Sequence, residues 1–279
     1  KAWFSQKTFP VHMFLLYEQS TVSHFALIGE SFKKKYGLTF KLAHINQTGC
    51  PRNDQVWIEY NASFGLPEYR NRFFYLLLKE LVRQNFDILN VSMTCEFLFP
   101  KKYLSNLYSD AHTSQGFRRS LSREFTVEKI VSCLSANSRS KLRRSLKELQ
   151  LQFGQINVTI AEGLNQKLSF LEQLKKLHIK RWGDSDNGSG FENEIFKDTL
   201  KSLLKNESKL CEIAKVTAGD ALLGYTLDLI QKDTVFFYCS GINLDLATKH
   251  IRPGYVLHLA LMEYYAQQGL SWYDFMGGA

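Results

Sequence analysis

The spacing of apolar residues changes twice between Thr234 and Ala279. A β-branched and aromatic run at 234–239 is followed by a polar loop, then by apolar residues at helical spacing from Pro253, and by a second aromatic run after Gly269. This order predicts a strand, a loop, a helix and a strand. Pro253 suits a first helical turn because it has no amide hydrogen to leave unpaired, and Gly269 can adopt the left-handed conformation that ends a helix.

The rest of the chain alternates between short extended segments and longer helical ones. In the first half, alternating apolar positions predict strands at 11–18, 25–32, 36–46 and 56–64, then a helix at 69–85 and a strand at 87–92. In the second half, the predicted helices are 126–150, 166–182, 191–205 and 254–268, and the predicted strands are 156–162, 210–216, 221–231, 234–243 and 270–276.

The order of several strands, one helix and a closing strand occurs twice, which predicts two lobes at 1–122 and 123–279. With 44% hydrophobic and 14% aromatic residues, a chain of 279 residues is long enough to bury one large core or two smaller ones, and two modules are favoured. No apolar run approaches the roughly 20 residues that cross a bilayer, so no membrane span is expected.

The loop before the last predicted helix is suited to binding a diphosphate. A helix entered from a strand presents free amides and a positive dipole end, here at Gly254, Tyr255 and Val256, with Arg252 beside them. A strand–loop–helix–strand unit without any ligand has the same pattern, so both interpretations stay open on spacing alone.

Three features of this region resemble the acyl-donor motif of the GNAT acyltransferases: the order of elements, the turn Arg252-Pro253-Gly254 and the closing Tyr273-Asp274-Phe275-x-Gly277. The resemblance extends upstream to 135–144 and 177–182. Within that superfamily the chain is most similar to the two-lobed branch that includes the CelD-type acetyltransferases and the Fem-type peptidoglycan aminoacyltransferases. The implied fold is α+β (mixed α/β), with tandem GNAT-like lobes that are each a mostly antiparallel twisted sheet flanked by helices.

The resemblance implies an acyl-donor site in the second lobe. In the first lobe, Glu68 stands in the turn before the helix and would repel a diphosphate, so no donor site is expected there. The acyl carbonyl is expected against strand amides near Ser240 and Gly241. The full set of expected donor-binding residues is Ser240, Gly241, Arg252, Pro253, Gly254, Tyr255 and Val256.

N-acyl transfer needs a neutral amine, a polarised carbonyl and a proton donor for the departing thiolate. The catalytic candidates are Glu59, Tyr238 and Asp274. Glu59 either faces solvent or points into a cleft, Tyr238 and Tyr255 have packing as their alternative role, and Asp274 has a turn role as its alternative. Asp228 is the other carboxylate near the expected carbonyl site.

The candidates for binding the acceptor are Tyr60, Asn61, His178, Arg181 and Trp182. A guanidinium fork matches phosphate geometry, which favours Arg181 as an anion-binding group. The resemblance places the helix that ends at Trp182 beside the acceptor. The turn-rich segment 183–190 that follows is either a lid or a connector.

Charge and cysteine content narrow the expected partners. The formal net charge is +8, and 118–147 contains nine Lys or Arg against two Glu. Such a stretch either keeps the protein soluble or attracts coenzyme A, a nucleotide-linked substrate, tRNA or an anionic membrane face.

The five cysteines are scattered singly, which indicates reduced thiols in a cytoplasmic protein and no metal site. No DNA-binding signature is present, and Gly-x-Ser-x-Gly, Walker and complete dinucleotide motifs are also missing.

These features favour a cytoplasmic N-acyltransferase that moves an acyl group, in first place acetyl, from acyl-coenzyme A to an amine. The expected acceptor is the amino group of a sugar, a sugar nucleotide or another small metabolite, in polysaccharide or cell-envelope biosynthesis. One alternative is a Fem-like aminoacyltransferase that takes its donor from aminoacyl-tRNA. The other is a non-catalytic binding protein that retains the GNAT fold.

Overall fold

The computed structural model describes residues 11–95, 108–185, 188–206 and 210–277. The chain divides into two compact units, Lys1–Thr113 and Ser114–Ala279. Both units combine a mixed sheet with helices, so the predicted α+β fold class is confirmed. None of the helices among the described residues is both long enough and apolar enough to cross a bilayer.

The first unit is a five-stranded sheet packed against one long helix. Its elements are β1 (Val11–Glu18), β2 (Thr21–Lys35), β3 (Leu38–Ile45), α1 (Pro51–Asp54), β4 (Phe64–Gly65), α2 (Arg70–Arg83) and β5 (Ile88–Asn90). The strand order is β1-β2-β3-β5, with β4 beside β2, and only the β3–β5 pair is parallel. Helix α2 buries Phe73, Phe74 and Leu77 against Ile28 and Ile45 of the sheet.

The second unit contains a six-stranded sheet. Its elements are β6 (Gly116–Ser120), α3 (Val127–Ser132), α4 (Ala136–Phe153), β7 (Ile156–Ile160), α5 (Gly163–Trp182), α6 (Glu194–Lys205), β8 (Cys211–Ala218), β9 (Ala221–Gln231), β10 (Thr234–Ile242), α7 (Pro253–Gln267) and β11 (Trp272–Gly277). The strand order is β6-β11-β10-β9-β8-β7, and only β10 and β11 run parallel. Helix α7 is buried along most of its length, with Val256, Leu257 and Leu261 in the main core.

Two predicted elements are wrong, and one observed strand was not predicted. The predicted strand 56–64 is irregular except at Phe64, because Trp57 and Tyr60 take positive φ angles of 41° and 54°. The predicted helix 126–150 is two helices, with the break before Ser135, whose hydroxyl caps the second one. The unpredicted strand β6 pairs with β11, so 116–120 belongs to the sheet of the second unit although it precedes the predicted lobe boundary at 122. The division into functional lobes stays a prediction.

Two carboxyl groups of the second unit, the buried Asp228 and the half-buried Glu212, share one tyrosine. The Tyr265 hydroxyl lies 3.0 Å from Asp228 Oδ2 and 3.3 Å from Glu212 Oε2, and Thr226 Oγ1 donates to Asp228 Oδ2 over 2.7 Å. A hydroxyl group has one proton, so it cannot donate a full hydrogen bond to two carboxylates at once. Burial raises the pKa of Asp228 to about 7 and also raises the pKa of Glu212, so the carboxyls hold protons at unusually high pH.

Gly241 is expected to be essential for the packing of α5 on β10. A Cβ at this position would overlap the carbonyl oxygen of Leu174 and lie 2.9 Å from Leu177 Cβ. We expect Gly241→Ala to lower the free energy of unfolding by about 1–3 kcal/mol, measured by urea denaturation. Gly116→Ala is the control, since the nearest atom to its Cβ would be Met276 O, at 3.5 Å, which is an ordinary contact. Equal stability of the two variants would contradict this packing argument.

Asp228→Asn is expected to change how stability depends on pH. Below about pH 4, Asp228 is protonated in both the folded and unfolded chain, whereas at higher pH the unfolded chain ionises first. The free energy of unfolding of the wild type therefore falls as pH rises from about 4 through 7, by an amount on the order of a few kcal/mol. The Asp228→Asn variant has no carboxyl group at this position, so its free energy of unfolding does not fall for this reason. Urea unfolding across this pH range should show that the free energy of unfolding of Asp228→Asn increases relative to that of the wild type as pH rises. Asp220→Asn, at an exposed turn, is the control, and parallel wild-type and Asp228→Asn profiles would refute the assignment.

Candidate acyl-donor site

In the part of the chain that the structure describes, the ladder between strands β10 and β11 has three residue pairs. Their parallel ladder joins Thr234 to Trp272, Val235 to Tyr273 and Phe236 to Asp274. Beyond it, β10 has a bulge at Tyr238 and stays paired with β9 up to Ile242, whereas the described residues contain no further β10–β11 pair. We call this opening the strand fork, with 237–242 of β10 as one arm and 275–277 of β11 as the other. Among the described residues no ladder pair joins this arm to β11, so on that side it lacks the neighbouring strand that β9 provides on the other.

The three predicted site residues of β10 all lie in this arm. Tyr238 is half-buried at the bulge, and its ring is nearly parallel to that of Phe196, with 6.2 Å between centroids. Ser240 is half-buried opposite Thr226 of β9. Gly241 is buried under α5. The strand fork therefore brings Tyr238, Ser240 and Gly241 together on one edge of the opening.

Asp274 stands where the parallel ladder ends on β11. Its side chain is buried, and its Oδ1 accepts a hydrogen bond from the Met276 backbone N over 2.7 Å. Met276 has a φ of 64°, so this bond supports a local irregularity in the strand. These contacts give Asp274 the turn role that the sequence left open, and its catalytic role stays a prediction.

Helix α7 begins next to the arm formed by β10. Arg252 is its N-cap but provides no side-chain cap, Pro253 follows, and the first turn contains no acidic residue. The Val256 amide donates to Arg252 O over 3.3 Å, so Val256 does not offer a free N–H as the sequence suggested. The amides of Gly254 and Tyr255 make no hydrogen bond within the described part of the chain. An uncapped helix start of this kind is an anion-binding arrangement.

Gly254 is not required by the packing of the protein itself. A Cβ built on it would meet Ile242 at 3.8 Å, an ordinary contact, and its φ lies outside the left-handed region. Glycine inside a helix costs about 1 kcal/mol relative to alanine. The missing side chain instead leaves space for a ligand to approach the backbone closely, as a diphosphate at this turn would.

Side chains from α4 hold the loop that leads into α7. Ser145 is fully buried, and its Oγ accepts a hydrogen bond from the Arg252 backbone N over 2.9 Å. Arg144 Nη1 lies 3.3 Å from His250 Nδ1, and Thr248 Oγ1 accepts from the backbone N of Ile251. The sequence did not assign these supporting roles, although the basic motif at 135–144 was part of the resemblance and marked the region.

His258 is a site residue that the sequence did not identify. Its Nδ1 lies 3.0 Å from the Tyr273 hydroxyl, and its ring contacts Phe237 and Phe275, one on each arm of the strand fork, with centroids 4.6 and 5.2 Å away. Burial lowers the pKa of His258 to about 4, so the imidazole is neutral near pH 7. The sequence did contain one signal for His258: it lies four residues after Gly254, and this spacing places both residues on one face of a helix.

The predicted acceptor residues of the second unit occupy the last turn of α5. His178 is buried, with its Nδ1 2.9 Å from Ser189 Oγ, and burial lowers the pKa of His178 to about 4. Arg181 and Trp182 are exposed, with the guanidinium 4.5 Å from the indole centroid. In the predicted lid, 186 and 187 lie outside the described residues, whereas Ser189 is buried in a capping box. The lid stays a prediction.

The other predicted residues belong to the first unit. Glu59 is half-buried in the irregular stretch, and Tyr60 is exposed. Asn61 is buried, and it donates to Ile45 O and accepts from Asn46 Nδ2, each over 2.8 Å. These bonds give Asn61 a structural role in the first unit. The catalytic role of Glu59 and the acceptor contacts of Tyr60 and Asn61 stay predictions.

The second unit also contains a cavity of about 500 Å³ between α3, α4, β7 and α7. Of the predicted site residues it includes only Val256, whose side chain is buried. Elsewhere in the described ranges, no three His, Cys, Asp or Glu side chains are grouped as a metal site requires. The strand fork and the start of α7 are therefore the part of the second unit with features suited to an acyl donor.

Three solved structures share the fold at low sequence identity. FemX is 13% identical, with a TM-score of 0.53 and coverage of 96% of this chain and 79% of its own. A conserved protein of unknown function from Bacteroides thetaiotaomicron is 7% identical, with a TM-score of 0.57 and coverage of 99% and 79%. The C-terminal domain of a putative lysylphosphatidylglycerol synthetase from Agrobacterium fabrum is 10% identical, with a TM-score of 0.52 and coverage of 96% and 70%.

Comparison with curated protein sequences gives no match. The family profile described as "Acetyltransferase (GNAT) domain" matches residues 136–279, which is more than half of the chain. This range contains α4, the strand fork and the start of α7, and the match confirms the resemblance seen in the sequence. The chain belongs to the GNAT acetyltransferase-domain family.

Proposed function

We propose that this chain is an N-acyltransferase that moves an acyl group, in first place acetyl, from acyl-coenzyme A to an amino group. The acceptor class is a sugar, a sugar nucleotide or another small metabolite. The observation that carries the proposal is the uncapped start of α7 with the bare Gly254, next to a strand whose pairing is interrupted. Family membership makes acyl-coenzyme A the expected donor.

The donor phosphates are assigned to the start of α7. Gly254 and Tyr255 contribute free amides, and Arg252 is exposed beside them and contributes charge. Arg144 adds a second guanidinium next to the same loop. Because Ser145 and Thr248 already hold the loop by hydrogen bonds, binding requires little ordering of its backbone.

The acyl group is assigned to the strand fork. Backbone groups of β10 near Ser240 and Gly241 are expected to hold the carbonyl, because in the described part of the chain they pair with β9 and not with β11. Thioester chemistry supplies an activated carbonyl: the amine nitrogen bonds to its carbon, the carbon–sulfur bond breaks, and the thiolate takes up a proton. Tyr238 is the proposed proton donor.

The ammonium proton must also leave. Glu59 and Asp274 remain candidates for accepting it, directly or through water. Neutral His258 packs between Phe237 and Phe275 of the strand fork. Its hydrogen bond with the Tyr273 hydroxyl fixes the orientation of the imidazole ring. We assign His258 a positioning role.

Aminoacyl-tRNA is the alternative donor, since the fold shared with FemX suits that reaction as well. The basic surface of α4 suits tRNA as well as it suits coenzyme A. A non-catalytic protein is the other alternative. Donor titration separates these possibilities: binding of coenzyme A supports the proposal, binding of charged tRNA alone supports the first alternative, and binding of neither supports the second.

Calorimetric titration with coenzyme A and acetyl-coenzyme A tests the donor site. Arg252→Ala is expected to weaken binding by about 10- to 100-fold, because it removes charge-assisted hydrogen bonds worth about 1.5–3 kcal/mol. Gly254→Ala is expected to weaken binding by about tenfold while its free energy of unfolding stays equal or rises by up to about 1 kcal/mol.

Arg123→Ala is the matched control for this titration. Arg123 lies beside Gly269, at the other end of α7 and about 20 Å from Arg252 along the helix. Its removal should leave the dissociation constant unchanged. Equal effects of Arg123→Ala and Arg252→Ala would show nonspecific attraction, and unchanged binding in Arg252→Ala would move the diphosphate site elsewhere.

The proton donor is tested by paired tyrosine variants. Free-thiol release from acetyl-coenzyme A is measured with a panel of amino sugars and other amines, and the best acceptor is then used for kinetics. Tyr238→Phe is expected to lower kcat by about 10²–10⁴-fold with little change in coenzyme A affinity, because general acid catalysis is lost. Tyr255→Phe, on the exposed first turn of α7, should retain kcat. The reverse result would assign the proton to Tyr255.

A further inference from the structure

Strands β2 and β3 form a hairpin whose end is entirely exposed. Their register continues to the pair Lys35–Leu38, and Tyr36-Gly37 forms a two-residue turn. All residues from 32 to 39 are exposed, and we call this segment the hairpin tip. It measures about 13 Å from its base to the turn at about 3.3 Å per residue. The hairpin tip therefore projects beyond the packed part of the first unit.

Three large apolar side chains occupy the hairpin tip. The exposed fractions are 90% for Tyr36, 64% for Phe32 and 63% for Leu38. None of the three belongs to the hydrophobic core of the first unit, which lies under α2. Within the described ranges, the one ring contact of Tyr36 is with the neighbouring Lys35, whose Nζ lies 5.0 Å from the ring centroid. Folding of the first unit thus leaves this apolar surface in water.

The same segment has a strong positive charge. Lys33, Lys34 and Lys35 are consecutive, and the hairpin tip contains no acidic residue. The nearest ion pair, Lys41–Glu30, lies at the base of the hairpin. None of the three lysines forms an ion pair with any residue that the structure describes. Because side chains alternate along a strand, Lys34 lies on one face of the hairpin and its two neighbours on the other.

The turn places a tyrosine where an asparagine or glycine is expected. Tyr36 has a φ of 51° and Gly37 a φ of 77°, which together make a turn with both central residues in the left-handed region. Such turns strongly favour Asn-Gly, and a bulky residue with positive φ is strained by about 1–2 kcal/mol. Turn formation does not explain Tyr36. A binding role for the exposed ring does explain it.

We propose that the hairpin tip docks on the surface of an anionic lipid bilayer. Tyr36, Leu38 and Phe32 would enter the headgroup region, where amphipathic rings are favoured, while the lysines contact lipid phosphates. The length of the hairpin tip suits the roughly 5–10 Å depth that interfacial segments reach. An aliphatic residue at the end of a hairpin gains from a lipid interface, whereas a nucleic-acid backbone offers Leu38 no apolar partner. This role is independent of the acyl-transfer proposal.

Sedimentation with lipid vesicles tests this docking on the 279-residue chain. Vesicles of phosphatidylcholine alone are compared with vesicles that also contain phosphatidylglycerol. The protein is expected to bind the anionic vesicles at least about tenfold more strongly, because each lysine near such a surface contributes about 1 kcal/mol. Added salt should weaken this binding.

Two variants separate the apolar and charged contributions. Tyr36→Asn provides the favoured turn residue, so the thermal unfolding temperature should hold or rise while vesicle binding falls several-fold. The triple variant K33E/K34E/K35E should abolish the preference for anionic vesicles. Its control, K79E/K205E/K232E, makes the same change in net charge at exposed lysines outside the hairpin tip and should bind as wild type does.

Three results would overturn the proposal. One is equal binding of wild type to the two kinds of vesicle. The second is unchanged vesicle binding in both Tyr36→Asn and K33E/K34E/K35E. The third is that the hairpin variants no longer retain tRNA on filters but still bind vesicles. That result would identify nucleic acid as the partner.

Discussion

The parallel ladder between β10 and β11 ends after Phe236 and Asp274, and the candidate site depends on this limit. A strand inside a sheet normally forms backbone hydrogen bonds with two neighbouring strands. Where a strand has only one such neighbour, amides and carbonyls on its other side can bind a ligand. The bulge at Tyr238 and the irregularity at Met276 lie in the two arms, just beyond this ladder. A carbonyl group placed against this arm would accept hydrogen bonds from main-chain groups, in addition to the charge that Arg252 is proposed to supply to the donor.

Helix α7 connects these two strands, and for this reason its first turn lies beside the opening. The buried Ser145 and the neighbouring Arg144 belong to α4, which thereby supports the loop from outside the strand–helix–strand unit. His258 stands one helical turn inside, between rings from both strands. The site thus combines three layers of support: sheet, loop and helix. The supporting hydrogen bonds, from the Arg252 backbone N to Ser145 and between His258 and Tyr273, are made within the protein itself.

Much of this architecture is predictable because local patterns determine it. The strands Val11–Glu18 and Ala221–Gln231 have the predicted bounds, since alternation and turn residues define them. The stretch from 56 to 64 alternates equally well but is irregular, because Trp57 and Tyr60 adopt left-handed conformations that aromatic residues do not signal. Strand β6 has arginines where apolar residues would mark a strand, and it exists through pairing with β11. The proposed donor turn could be identified from Arg252-Pro253-Gly254, whereas the contacts of Ser145 and His258 are tertiary and are not encoded in residue spacing.

Strand β6 has a consequence for how the second unit can be isolated. It covers the outer edge of β11, and an uncovered edge strand is a template for pairing between molecules. A fragment that starts at 123, where the sequence places the lobe boundary, would expose β11 with Tyr273 and Phe275 next to the opening. Such a fragment would be prone to self-association by strand addition along β11, beside the strand fork. A fragment that begins before Gly116 retains β6, so β11 keeps its outer neighbour.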